Sequence, residues 1–221
     1  MWFAKCVPCW ASGLALPPKP SHRLNHRRTG HNQYFETRAN IEVVVTEHVD
    51  DYRAAVSSLV RPDDVALEVG CAGGVTTAAL GKACCVAVGV DKSFSPGMLA
   101  EQSGYAKDHV TFKQLDATDI GALLQLSKSA AQEARERYDP ASSGDGAAAG
   151  PAGGFSVILV DISGSAKLSA VLDLLERYEF CFKDSLRLLI VKSFRYACVL
   201  DRTRTFESSR AATAEEVEAE A

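Results

Sequence analysis

The chain has 221 residues, of which 47% are hydrophobic and 24% charged, with a formal net charge of -4. That length and balance suit one globular domain with a full core, and no apolar run approaches the roughly 20 residues needed to cross a bilayer, which excludes a membrane span. The charge is uneven: the last eleven residues carry four glutamates and no base, and without them the chain is close to neutral. Seven cysteines, mostly inside apolar runs such as those around Cys84, Cys85, Cys181 and Cys198, point to reduced, buried thiols and an intracellular compartment.

Residues 1–40 read as a basic leader. No acid precedes Glu36, while Lys5, Lys19, Arg23, Arg27 and Arg28 supply positive charge, the composition of a plastid or mitochondrial transit peptide or of a disordered extension. Cys6, Cys9, His22 and His26 have zinc-finger spacing, but Pro17, Pro18 and Pro20 fall where the finger's helix would run, so no zinc site is expected. A domain is expected over residues 41–210. Its first element is an amphipathic helix from Thr46 to Val60, with Val49, Tyr52, Val56, Leu59 and Val60 at helical spacing before Pro62.

The apolar run Val65 to Val69 fits a buried strand and leads at once into glycines, Thr76, Thr77 and a helix-like segment. A second strand, Cys84 to Val90, ends at Asp91, and Ser95-Pro96 can cap and start the next helix. Val110 to Leu115 is a third strand ending at Asp116, followed by a helix from about Ile120 to Tyr138. Residues 139–154 (DPASSGDGAAAGPAGG) are a low-complexity surface insertion. Phe155 to Val160 gives a fourth strand ending at Asp161 and Leu186 to Val191 a fifth ending at Lys192. Leu168, Val171, Leu172, Leu175 and Tyr178 mark a helix between them. Strand and helix alternate, so the expected fold is α/β, a Rossmann-like, doubly wound and mostly parallel sheet with helices on both faces. Its C-terminal end lacks legible sixth and seventh strands, and residues 211–221 read as an acidic disordered tail.

Ligands of such sheets bind beyond the carboxyl ends of the strands. The segment ALEVGCAGGVTT, residues 66–77, places Glu68 at a strand end and glycines at 70, 73 and 74, with Ala72 between them. Side chains at Gly70, Gly73 or Gly74 would block a positive-φ turn or hold a ligand away from the backbone amides. Asp91, 21 residues after Gly70, faces the same crevice, where a carboxylate can accept both ribose hydroxyls. The glycine spacing departs from G-x-G-x-x-G, and an acid at Glu68 offers nothing to a pyrophosphate. It suits the sulfonium and ammonium groups of S-adenosyl-L-methionine. Glu68-x-Gly70-x-Ala72-x-Gly74, followed by the acid at 91, resembles the first two motifs of class I S-adenosylmethionine-dependent methyltransferases. The resemblance implies cofactor binding by Glu68, Gly70, Ala72, Gly73, Gly74, Asp91, Asp116 and Asp161. Within that set, Glu68 would lie beside the methionine part, Asp91 on the ribose, Asp116 near the adenine amino group and Asp161 facing the substrate.

Asp161 and Lys192 narrow the chemistry, because both side chains are expected in one crevice. A lysine at the edge of an apolar core loses hydration; beside a sulfonium it is driven toward the neutral amine, and beside Asp161 toward the ammonium. From Val65 to Phe194 the chain resembles the FtsJ-like ribose 2′-O-methyltransferases, with their D-x-G-x-A-P-G-G turn and V-V-K-x-F fifth strand. The resemblance implies that Asp161 and Lys192 are catalytic and that the substrate is RNA, such as rRNA or tRNA. Two parts depart from that pattern. No lysine stands between Lys19 and Lys82, leaving Arg53 to supply charge but not a base, and only Glu207 is available as the final glutamate. A base-rich run (Lys183, Arg187, Lys192, Arg195, Arg202, Arg204, Arg210) is expected to flank the catalytic edge and to suit a phosphate backbone. Two other readings stand beside RNA methylation. One is methylation of a small molecule or protein with a structural Lys192, the other a non-catalytic module that binds RNA or a partner.

Overall fold

The computed structural model describes residues 41–137, 153–162 and 166–203. The leader, the finger-like Cys and His set, most of the low-complexity insertion, Glu207 and the acidic tail lie outside them. Six strands, β1 (Glu42–Thr46), β2 (Val65–Val69), β3 (Val86–Asp91), β4 (Val110–Gln114), β5 (Val157–Val160) and β6 (Leu188–Lys192), form one sheet in the order β1-β6-β5-β2-β3-β4. All five pairings are parallel, so the fold is a Rossmann-like α/β open sheet. The helices are α1 (Val49–Leu59), α2 (Val75–Ala83), α3 (Pro96–Tyr105), α4 (Ile120–Arg137), α5 (Leu168–Cys181) and α6 (Phe194–Arg202).

The side-chain alternation of the strands sorts the core into two layers. Ala66, Ala87, Val157, Leu159, Leu188 and Ile190 meet Tyr52 and Val56 of α1 and Leu80 of α2 on one face. Leu67, Val88, Ile158, Val160, Leu189 and Val191 belong to the layer under α4 and α5 on the other. Every residue of β2 and β5 is buried, which is why both read as unbroken apolar runs rather than as alternating ones.

The expected helix from Thr46 to Val60 needs correction. Glu42 to Thr46 forms β1, and α1 begins only at Val49. Three consecutive valines suit an extended backbone, and pairing with β6, from Glu42 against Leu188 to Thr46 against Lys192, supplies the ladder. The edge beyond the fifth expected strand is therefore occupied by the segment nearest the N-terminal end of the described chain.

At the opposite, N-terminal edge of the sheet, Arg187 forms a two-pronged ion pair with Asp64, whose side chain is 4% exposed. Ser156 donates to the same carboxylate (2.7 Å) and accepts from the Val65 amide (3.1 Å), while Arg187 also donates to the Leu59 carbonyl (2.9 Å). These bonds pin the starts of β2, β5 and β6 together. They also correct the expectation that the whole base-rich run flanks the catalytic edge. Arg187 and Lys183, which pairs with Asp184, precede β6, and the strand carries the chain across the sheet before Lys192. Of that run, Lys192 ends β6 and Arg195 opens α6 just after it, Arg202 closes that helix, and Arg204 and Arg210 lie outside the described residues.

Candidate functional site

From β2 the chain proceeds outward through β3 to β4, then returns to place β5 on the other side of β2. The crevice beyond the carboxyl ends of β2 and β5 is thus the switch point at which doubly wound sheets bind ligands. The turn after β2 has positive φ at Gly70 (82°), Ala72 (44°) and Gly74 (87°). A Cβ on Gly70 would collide with the Asp161 carbonyl, and one on Gly74 with the Phe112 ring. Gly70 therefore lets the loops after β2 and β5 touch, and Gly74 lets the turn close against β4. Ala72 holds an uncommon conformation for a residue with a side chain, held through both of its flanking peptide groups. Its amide donates to Asp91 Oδ2 (3.2 Å), and its carbonyl accepts from Gln102 Nε2 of α3 (2.5 Å).

Continuing the alternation of the α1-covered layer by one step brings Glu68 from Ala66, Asp161 from Leu159 and Lys192 from Ile190 onto a single face. Asp91 joins them, two residues beyond Gly89, whose missing Cβ makes room for the Thr77 hydroxyl and Cys71. Four of the expected site residues are thereby gathered at one end of one face. Lys192 Nζ donates to Asp161 Oδ2 at 2.5 Å, and each side chain is 21% exposed. Asp161 is held in place by its own amide, bonded to the Val69 carbonyl (2.9 Å).

Glu68 lies beneath the turn, 3% exposed, rather than in the open crevice. Its Oε2 accepts from the Thr77 hydroxyl (2.5 Å), and Thr76, which also bonds Glu68, accepts from Arg53 Nε (3.5 Å). Loss of water pushes the Glu68 carboxyl up to about 8; the Thr77 bond opposes the rise and the charge of Asp161 adds to it. At neutral pH the free protein thus holds Glu68 largely as the acid, and Asp91 supplies the open negative charge at the turn. Because its folded value lies above its unfolded value, the stability linked to Glu68 is fully present below the unfolded range near 4.5. It is lost as pH rises toward about 8. Glu68→Gln should flatten that fall, gaining stability relative to the wild type at pH 9 more than at pH 5, as read by urea melts at both pH values.

Asp116 behaves as a loop cap. Its Oδ1 accepts from the amide (2.8 Å) and hydroxyl (2.7 Å) of Thr118, and these bonds, the backbone one first, hold its carboxyl below the ordinary value. Gly73 sits under the Glu101 side chain of α3, close enough that a Cβ would meet the carboxylate. Reading along the chain missed Glu101 and Gln102, since nothing local marks which turn of α3 folds back over the glycines. Tyr52 was read only as an apolar helix position. It is fully buried, and its hydroxyl lacks a hydrogen-bond partner within the described structure. A tyrosine within an otherwise aliphatic helix face was the available signal. Among the described residues no group of His, Cys, Asp and Glu is placed to hold a metal ion, and no helix is long and apolar enough to cross a membrane.

No known protein family and no curated protein matches the chain. Among solved structures it is similar to precorrin 8W decarboxylase of Methanobacterium thermoautotrophicum, with 18% identity and a TM-score of 0.39. That match covers 66% of this chain and 64% of the decarboxylase, so the chain spans somewhat under two thirds of that protein. A functionally unknown protein from Deinococcus radiodurans R1 is similar at 20% identity and a TM-score of 0.32, covering 57% of this chain and 44% of that one. Likeness at this level argues nothing about activity, and the site has to be read from its own side chains.

Proposed function

We propose that the crevice binds S-adenosyl-L-methionine and that the chain is a methyltransferase acting on RNA, at a ribose 2′-hydroxyl. The observation that carries the first part is the acidic rim of the glycine turn. Asp91 bonds the Ala72 amide and Glu101 lies over Gly73. Asp91 suits a ribose diol, and the Glu101 carboxylate over the glycines repels a pyrophosphate and favours a ligand with cationic groups. Asp91 would receive the ribose hydroxyls, the backbone from Gly70 to Gly74 would line the nucleoside, and Asp161 would face the cationic end. Asp116, turned onto Thr118, keeps at most an outer place near the base. The bound cofactor would supply a methyl group already activated by its sulfonium. The chain's part is to align the acceptor, exclude water and take the proton that the acceptor hydroxyl loses.

Lys192 is the group proposed for that proton, because it ends β6 beside Asp161 in the same crevice. The RNA assignment draws on the resemblance around Lys192 and Asp161, and on Arg195, which opens α6 soon after Lys192. The ion pair itself favours a second reading, a binding module in which Lys192 only ties β5 to β6.

Titration calorimetry tests the cofactor. The protein should bind S-adenosylhomocysteine and give no heat with NAD; the reverse result, or folded protein silent to both, would reject the reading. Asp91→Ala should weaken S-adenosylhomocysteine binding by about 1.5 to 3 kcal/mol, as expected for deleting a charge-assisted acceptor.

A further inference from the structure

Tyr52 lies on the inward side of α1 in one apolar layer with Leu159 and Ile190. These residues stand two positions before Asp161 and Lys192, so the ring and the ion pair share a face of the sheet. A buried hydroxyl with no partner is costly, and a role at a neighbouring site is one reason for a protein to keep it. The titratable groups bearing on it are Glu68 of β2, Asp161 after β5 and Cys71 of the turn, with Lys192 of β6 reaching the site through Asp161. Burial first, then these acids, hold the phenol well above its ordinary value, so it is a donor throughout the usual pH range. Arg53, the next residue on α1, is engaged at Thr76.

Asp161 is four-fifths buried, and its carboxylate is neutralised by Lys192. When Lys192 turns to a substrate hydroxyl, that carboxylate loses its counter-charge, which is unfavourable unless a second donor takes over. We propose that Tyr52 is a positioning residue for this pair: its hydroxyl donates to Asp161 as Lys192 leaves, holding the carboxylate in place while the ammonium gives its proton to solvent water and becomes the free amine. The inference rests on the reading of Lys192 as facing substrate.

The test uses Tyr52→Phe in the full chain, with acetic anhydride as the probe of Lys192 and peptide mass spectrometry as the readout, at fixed pH with S-adenosylhomocysteine present. Acetylation of Lys192 should slow by about threefold to tenfold, the span of one hydrogen bond. In an Asp161→Asn background the same change should have no further effect. The melting temperature of the ligand-free variant should stay level or rise, because an unsatisfied hydroxyl has been removed, and kcat should fall with KM unchanged. Unaltered acetylation, an equal slowing in the Asp161→Asn background, or a lower melting temperature would overturn the proposal. So would a slowing produced by Arg53→Gln and not by Tyr52→Phe. Wild-type protein that binds the cofactor product but methylates nothing would instead remove the proposed activity, and the acetylation result would still decide the role of Tyr52.

Discussion

Lys192→Ala should keep its affinity for S-adenosylhomocysteine while losing about 10²- to 10⁴-fold in methyl transfer to RNA, the usual span for removal of a positioned base. The cofactor contacts proposed for Asp91 and the glycine turn do not pass through Lys192, and Asp161, though it loses its partner, keeps its charge toward the cationic end, so binding should change far less than turnover. Lys192→Arg should be nearly as damaging: a guanidinium can replace the ammonium in its bond to Asp161 but cannot take up a proton. The measurement is transfer from labelled donor to total RNA, with protein and metabolite extracts in parallel. An arginine variant of near wild-type rate would leave Lys192 a charge-only role and remove it as the base. Transfer confined to the protein or metabolite extract would move the substrate away from RNA.

Arg187→Ala should produce the largest loss of stability, about 3 kcal/mol or more, because it strands a buried carboxylate. Asp64 would keep its bonds from Ser156 and from the Arg61 amide (2.7 Å), and Arg187 is a quarter exposed, so the loss should sit near the low end for a broken buried pair. Replacing both partners, Asp64→Asn with Arg187→Met, should cost less than the single change, since no unpaired charge remains. Urea unfolding of the three proteins checks this. The network lies at the opposite edge of the sheet from the crevice, so folded Arg187→Ala should bind S-adenosylhomocysteine as the wild type does; a parallel loss of binding would show that the two edges are coupled.

Local chemistry made most of the scaffold legible along the chain. Four of the six strands, β2, β3, β5 and β6, are apolar runs of strand length, and they read as buried because helices cover both faces. The glycine turn was visible because Gly70 and Gly74 hold positive φ where a Cβ would also collide, and Ser95-Pro96 marked the start of α3, where Ser95 accepts from the Met98 amide. β1 was not visible: its three valines favour an extended backbone, but so short a run carries no partner of its own, and only pairing with β6 makes it a strand.

The candidate site divides in the same way. Its residue types at the strand ends follow from the order of elements, since every parallel strand delivers its last residue to one edge. Partnership does not follow. Asp161 and Lys192 stand 31 residues apart and meet through register, Arg187 is carried to the far edge by the direction of β6, and Glu101 reaches Gly73 only because α3 folds back over the turn. The sequence alone thus determined the α/β class and the carboxyl-end crevice with its acids, because these depend on local periodicity and backbone conformation. The tertiary structure alone decided which acids are buried, which are paired and where an unsatisfied hydroxyl lies, because burial and pairing are properties of distant segments brought together.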